Sequence, residues 1–156
     1  MTFIPIKKAR RAVIYIRRDP ESSLGYPLSV QEESCRRCCG SNGVEVLAVI
    51  QEHCGDEASL ERLMELLGRL PEGTDLLIAS SFTDYSHRLR YLGLVALLYM
   101  GRGIELYSED LPGPIRKHLP LIGPADYRES DKWKVLPLPE AIRALKAYRK
   151  QRVVFP

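Results

Sequence analysis

The sequence has no long apolar run, and this absence narrows what the protein can be. A membrane-spanning helix needs about 20 consecutive apolar residues, and no stretch of the 156-residue chain approaches that length. The first residues also lack the extended apolar segment that a secretory signal carries. We therefore expect a cytoplasmic protein that has no membrane contact.

A strong net charge is missing too. The chain has 23 Lys and Arg residues against 20 Asp and Glu residues, which leaves a net charge of +3. That excess is too small to indicate nucleic-acid binding by itself. The cations are nevertheless clustered at the two ends, as Lys7, Lys8, Arg10 and Arg11, and as Arg143, Lys146, Arg149, Lys150 and Arg152. Such clusters are usually solvated surface, so the charge leaves a nucleic-acid role open.

Cysteine is scarce, and its spacing does not favour a metal site. Cys35, Cys38 and Cys39 fall within one predicted helix, and Cys54 follows the next predicted strand. A structural zinc site needs four ligands in closed geometry, usually from two separate knuckles. We expect free thiols, no metal and no cofactor. The histidines at 53, 87 and 118 are scattered and have no nucleophile beside them, so we interpret them as surface or hydrogen-bonded side chains.

What is present is a repeated strand–helix pattern in a chain of about one domain. Apolar residues make up 45% and charged residues 28%, as in ordinary globular proteins. Predicted strands cover residues 12–16, 44–50, 75–81 and 104–107, and predicted helices cover residues 29–42, 59–70, 86–102 and 139–152. Three successive strand–helix units predict a parallel sheet with right-handed crossovers. The fold class is α/β: a three-layer sandwich with a mainly parallel sheet of four to five strands flanked by helices.

Local signals refine these elements. Ser29 and Glu32 form a capping-box pattern for the first helix, and Ser59 is the expected cap of the second. The second strand is apolar on both faces, which predicts a strand buried on both sides. Six prolines between Pro112 and Pro139 argue against long regular elements there. We divide the chain into a basic lead-in (1–11), an α/β domain (11–110), and a proline-rich segment with a short basic C-terminal helix (111–156).

The stretch from Arg11 to Gln31 carries a family resemblance. Its letters YIRRD at 15–19 and GYPLSVQ at 25–31 resemble the opening of the serine recombinase catalytic domain, found in resolvases, invertases and large serine integrases. That domain begins with a strand ending in Tyr-x-Arg-Val-Ser, followed by a loop and a Gly-Tyr-Ser-Leu-Glu-x-Gln helix entry. The resemblance covers about residues 11–110 and implies a resolvase-like α/β sheet. Arg17 and Gln31 match the family's arginine and glutamine.

The residues that the resemblance would make catalytic do not match. These enzymes attack a DNA phosphodiester with a serine and stabilise the developing charge with arginines, whose planar fork binds two phosphate oxygens. Here Asp19 occupies the position of the serine. After the third strand the family has Leu-Asp-Arg-Leu-Ser-Arg, where this chain has FTDYSH at 82–87, so Asp84 and His87 replace two arginines. The family's Arg-Pro-x-Leu has become EASL at 57–60. The resemblance therefore implies an inactive domain.

Alternatives remain open at this point. Ser22 or Ser23 could replace the nucleophile, with Arg88 as a substitute arginine, in a diverged but active site-specific recombinase that cleaves and exchanges DNA strands. An inactive domain could instead hold a DNA phosphate backbone through Arg17, Arg18, Gln31 and Arg88. It could also pair with itself or with an active recombinase through its third and C-terminal helices. A phospho-accepting receiver domain fits poorly, because Asp19 has only Glu21 as an acidic neighbour.

Overall fold

The computed structural model describes residues 10–22, 25–119 and 122–154, with side chains as far as residue 151. These residues contain a parallel four-stranded sheet in the order β2-β1-β3-β4. Its strands are β1 (Arg10–Arg18), β2 (Val44–His53), β3 (Leu76–Ala79) and β4 (Glu105–Ser108). The helices are α1 (Leu28–Ser41), α2 (Asp56–Leu66), α3 (Phe82–Tyr85), α4 (Leu89–Gly101), α5 (Pro124–Lys134) and α6 (Leu138–Val154), with a 3₁₀ turn at Ile115–His118.

Strand β1 lies between β2 and β3 in the sheet, and its five apolar residues, 12–16, are all fully buried. Successive side chains of a strand point to opposite faces of the sheet. Val13 and Tyr15 accordingly join the large core beneath α2 and α4, whereas Ala12, Ile14 and Ile16 join a smaller core beneath α1. The predicted α/β sandwich with a parallel sheet is confirmed. No described helix is long and apolar enough to span a bilayer.

Both predicted helix caps are wrong by a few residues. Helix α1 begins at Leu28 after Pro27, whose φ of −55° already suits a helix start, and no side chain caps it. Helix α2 begins at Asp56 after an extended Gly55. Ser59 therefore lies inside α2, fully buried, and its hydroxyl donates to the Asp56 carbonyl at 2.9 Å.

The prediction for the second strand is also wrong. Strand β2 borders only β1, so it is an edge strand in the described sheet. Residues 46–50 are half-buried, not enclosed on both faces. An apolar pattern indicates that the side chains of a strand are buried, but it does not indicate how many strands lie beside it.

The predicted third helix, 86–102, corresponds to α4, which begins only at Leu89, and the separate turn α3 precedes it. Ser81 and Asp84 form a capping box that closes the single turn of α3. Ser86 then adopts an extended conformation, with φ −176° and ψ 152°. Its hydroxyl accepts a hydrogen bond from the Arg88 N–H at 2.9 Å in the turn before α4, and no side chain caps that helix.

The proline-rich segment contains a helix that we did not predict. Pro124 occupies the first turn of α5, where a missing backbone N–H costs nothing, and Asp126 Oδ2 accepts the Gly123 N–H at 2.9 Å. Trp133 of α5 and Leu145 of α6 are buried in the same core as the sheet. The proposed lead-in falls outside the described residues, except Arg10 and Arg11, which begin β1.

Candidate functional site

A cleft opens where the loops after β1 and β3 separate. The chain passes from β1 to β2 on one side of the sheet and from β3 to β4 on the other, so the carboxyl ends of β1 and β3 form a topological switch point, the usual binding position in open α/β sheets. The cleft encloses about 240 Å³, which is smaller than most sites for drug-sized ligands. Its lining residues are Arg17, Arg18, Asp19, Ser22, Gly25, Tyr26, Gln31, Asp56, Thr83, Asp84 and His87.

Arg17 lies at the end of β1, and its guanidinium forms hydrogen bonds with other residues of the same chain. Nε donates to the Asp84 carbonyl at 2.7 Å, and Nη1 donates to the Cys54 carbonyl at 3.0 Å. Nη2 contacts the Thr83 carbonyl at 3.3 Å and Asp56 Oδ1 at 3.4 Å. Arg17 is only 8% exposed. It therefore joins the loops that follow β2 and β3 to the end of β1.

Asp56 is a central residue of this site that sequence reasoning missed. Besides its ion pair with Arg17, its Oδ1 accepts the His87 backbone N–H at 2.9 Å, and its Oδ2 lies 3.7 Å from Arg88 Nε. The signal was available: Asp56 follows the end of a strand and opens a helix, and parallel strands bring such positions to one edge of the sheet.

Gln31 holds the loop that follows β1. Its Oε1 accepts the Arg17 backbone N–H at 3.0 Å, and its Nε2 donates to the Arg17 carbonyl at 2.9 Å. The same Nε2 donates to the Tyr26 carbonyl at 2.8 Å. The side chain is 2% exposed. Its polar atoms are thus engaged with the backbone on either side of the cleft entrance.

Asp84 and Asp110 are two carboxylates that lie close together beside the end of β3. Its Oδ2 accepts from Ser80 Oγ at 2.5 Å and from the Ser81 N–H at 3.0 Å. Asp110 accepts from Ser81 Oγ at 2.8 Å. Burial raises the pKa of Asp84 above its usual range, although the hydrogen bonds from Ser80 and Ser81 act in the opposite direction.

The remaining candidates divide into those in the cleft and those beside it. Asp19, Ser22, Arg18 and His87 all line it. Asp19 Oδ1 accepts the Glu21 N–H at 2.9 Å, which closes the turn after β1. Ser23 falls outside the described residues. The structure thus places Asp19 and Asp84 in the same cleft as Arg17.

Arg88 lies behind the cleft and not among its lining residues. Its Nη2 donates to the carbonyls of Asp56 at 2.9 Å and Glu57 at 2.8 Å. Its guanidinium carbon lies 5.4 Å from the centre of the Tyr91 ring, which Arg149 of α6 also approaches at 4.1 Å. Arg88 therefore links α2 to α4, and Arg149 links α6 to the same Tyr91 ring.

The cysteines take no part in the cleft lining. Cys35, Cys38, Cys39 and Cys54 are buried and form no disulfide. Burial raises the pKa of all four and brings that of Cys39 to about 12, so these thiols are poor nucleophiles. Among the described residues, no group of three His, Cys, Asp or Glu side chains is placed to hold a metal ion.

Neither a protein-family model nor a curated protein matches the chain, but solved structures do. The N-terminal catalytic domain of TP901-1 integrase superposes with a TM-score of 0.52 at 14% identity, over 91% of this chain and 98% of that one. The C-terminal catalytic domain of ISC1926 TnpA, an IS607-like serine recombinase, superposes with a TM-score of 0.47 at 15% identity, over 90% of this chain and 97% of that one. The resemblance read from residues 15–31 is confirmed at the level of the fold: the chain has the α/β fold of the serine recombinase catalytic domain.

Proposed function

We propose that this chain is a catalytically inactive domain of serine recombinase fold that acts through binding to other proteins. The observation that carries the proposal is the use of Arg17. A phosphate-stabilising arginine must offer its planar fork to the substrate, whereas this guanidinium is bound to Asp56 and to three carbonyls of its own chain.

The charge around Arg17 supports the same conclusion. Asp19, Asp56 and Asp84 line the cleft, and a carboxylate repels an approaching phosphodiester. Removing one fixed donor from such a site commonly costs 10²–10³-fold in rate. A site that replaces two arginine positions and the serine position loses several such contributions together. A strand-cleaving reaction therefore has no adequate source of charge stabilisation here.

The test is covalent capture. Strand cleavage by a serine hydroxyl would leave a phosphoserine link to DNA. We expect that incubation with supercoiled DNA, followed by denaturing electrophoresis, yields no protein–DNA adduct. An adduct that disappears in Ser22→Ala or Ser23→Ala would establish the alternative, a diverged but active recombinase. Thr83→Ala serves as a matched cleft variant that removes a hydroxyl not expected to attack.

DNA holding without cleavage is a second candidate, favoured by the cations that are not bound inside the cleft. Arg18 is exposed at its entrance, and Arg143 and Lys150 are exposed on α6. Phosphate contacts weaken steeply with salt. A gel shift that is lost between about 50 and 200 mM salt, and weakened in Arg18→Ala, would support this role. We expect no shift even at about 50 mM salt, because the cleft cations are balanced by carboxylates.

The surface accessible for protein contact differs from the one expected from the sequence. Residues 91–99 of α4 are all buried, and α2, α5 and α6 pack around that helix. The third predicted helix is therefore largely unavailable for pairing, because the chain's own C-terminal helices cover it. The α6 surface and the free edge of the sheet are still accessible among the described residues.

A further inference from the structure

We propose that two copies of this chain pair along the free edges of β2, antiparallel to each other, and so form one continuous eight-stranded sheet. This inference deepens the proposed protein-binding role and rests on it. It names the partner, a second copy, and the surface, the outer edge of Val44–His53.

The edge is long and open. Strand β2 is the longest in the sheet, at 10 residues, and it is registered against β1 from Val44 to His53. On its other side, the part of the chain that the structure describes places no strand. An exposed edge carries a row of unpaired backbone donors and acceptors, which natural proteins usually shorten, charge or cover.

The side chains of β2 suit an enclosed strand. Its run VEVLAVI contains one charged residue in seven, and residues 46–50 remain half-buried on the monomer. Val46 and Val49 pack toward α1, whereas Ala48 and Ile50 pack toward α2 and α4. A strand that is apolar on both faces is typical of the interior of a sheet. In the monomer, however, β2 lies at the edge of the sheet. A neighbouring strand would give it the interior position that its apolar side chains suit.

The charges at the two ends of β2 are complementary under a twofold axis. In the register of the two strands, Glu45 lies opposite Arg11 and Glu52 lies opposite Arg17 of β1. The two arginines are an even number of residues apart, so the two glutamates lie on the same face of the sheet. Glu45 is exposed, and the described residues give it no ion pair. Arg62 of α2 is 48% exposed and binds Glu52 at 3.1 Å.

Antiparallel pairing about a twofold axis sets the start of one strand beside the end of the other. Glu45 of one copy then lies next to Arg62 of the second copy, which also binds Glu52 of its own chain. The same contact repeats on the other side of the axis. A single surface thus satisfies itself twice, as an isologous interface requires. This self-complementarity favours a second copy over an unrelated strand.

The first test is the association constant and its dependence on Glu45. We expect sedimentation velocity of the full chain to show a monomer–dimer equilibrium. Glu45→Arg should weaken dimerisation at least tenfold, because two guanidinium groups then meet at each end of the interface. Glu72→Arg, which makes the same charge change in an exposed turn, should leave it unchanged. Circular dichroism checks that both variants fold.

The second test locates the axis. Ala48 lies near the middle of β2, so Ala48→Cys should place two thiols close together, and a short bis-maleimide should link them into a covalent dimer. Val135→Cys, at a position that is 84% exposed and outside the sheet, should not cross-link efficiently. The natural cysteines are buried, so the unsubstituted chain gives the background.

The outcomes separate this interface from the proposed function. A chain that stays monomeric at several hundred micromolar overturns the pairing. A dimer that Glu45→Arg leaves intact and that Ala48→Cys does not cross-link also overturns it, since the contact then lies elsewhere. A covalent DNA adduct would overturn the inactive role whatever the oligomeric state.

Discussion

At the scale of single residues, the polar side chains of the cleft mostly bind the chain itself. Arg17 and Gln31 both hold backbone carbonyls of the loops around the cleft. Asp56 ties together Arg17 and the His87 backbone. These residues therefore hold together the loops that follow different strands. Their substitution should lower the free energy of unfolding.

Gln31→Ala should destabilise the fold by about 2 kcal/mol, because it leaves the buried Arg17 N–H and carbonyl without partners. Urea denaturation followed by circular dichroism measures the change. Glu33→Ala, on the exposed face of the same helix, is the matched control and should shift stability by less than about 0.5 kcal/mol. Equal effects of the two substitutions would show that Gln31 does not fasten the loop.

Asp84 should make stability depend on pH. Burial raises its pKa above the ordinary value of 3.8, so the folded chain holds the proton to a higher pH than the unfolded chain does. Its contribution to stability is therefore greatest at low pH and declines as the pH rises from about 4 through the raised value.

Asp84→Asn should remove this decline while its side-chain oxygen still caps α3. Thermal denaturation between pH 4 and pH 7 should give a flatter profile for Asp84→Asn than for the unsubstituted chain. Asp84→Ala also loses the cap and should cost about 1 kcal/mol at every pH in that range. Parallel profiles for Asp84→Asn and the unsubstituted chain would contradict the assignment.

At the scale of elements, the C-terminal helices are attached to the sheet through α4. Arg102, just after α4, donates from Nη1 to the Trp133 carbonyl at 3.1 Å and to the Lys134 carbonyl at 3.2 Å. Its Nη2 donates to the Leu136 carbonyl at 2.8 Å. A helix C-terminus leaves such carbonyls without internal partners. One side chain thus closes the end of α5 and connects it to α4.

Arg102→Ala should loosen α5 before it unfolds the sheet. The expected loss is about 1–3 kcal/mol, because charged hydrogen bonds to three carbonyls disappear. Trp133 is the one tryptophan in the sequence and is 1% exposed, so its fluorescence reports on α5. In Arg102→Ala, fluorescence should change at lower urea than circular dichroism. Coincident transitions would mean that α5 and the sheet unfold together. Lys132→Ala, also on α5 but exposed, should leave the transitions unchanged.

At the scale of the whole molecule, short-range features were predictable and long-range ones were not. The buried β1 and the site positions of Arg17 and Asp84 follow from local apolar pattern and motif. The hydrogen-bond partners of Arg17 could not be predicted, because three of them are backbone carbonyls, which every residue has whatever its side chain. Proline content does not predict helix α5, because Pro124 occupies its first turn, where proline is tolerated. The edge position of β2 depends on strand order, which periodicity does not encode.

The buried thiols provide a measure of global opening. Cys35 and Cys39 are fully buried in the core beneath α1, while Cys54 directly follows β2, outside that core, at 5% exposure. Burial raises the pKa of each thiol, and the thiolate is the reactive form. Reaction with a thiol reagent therefore requires that the structure open.

We expect Ellman's reagent to label none of the four natural cysteines within minutes in native buffer, and all four in concentrated urea. In native buffer, slow labelling should proceed at one common rate, because global unfolding of the domain limits it. Val135→Cys should add one thiol that reacts at once. A fast native phase for a natural cysteine would reveal local opening at that site and would contradict the single global opening.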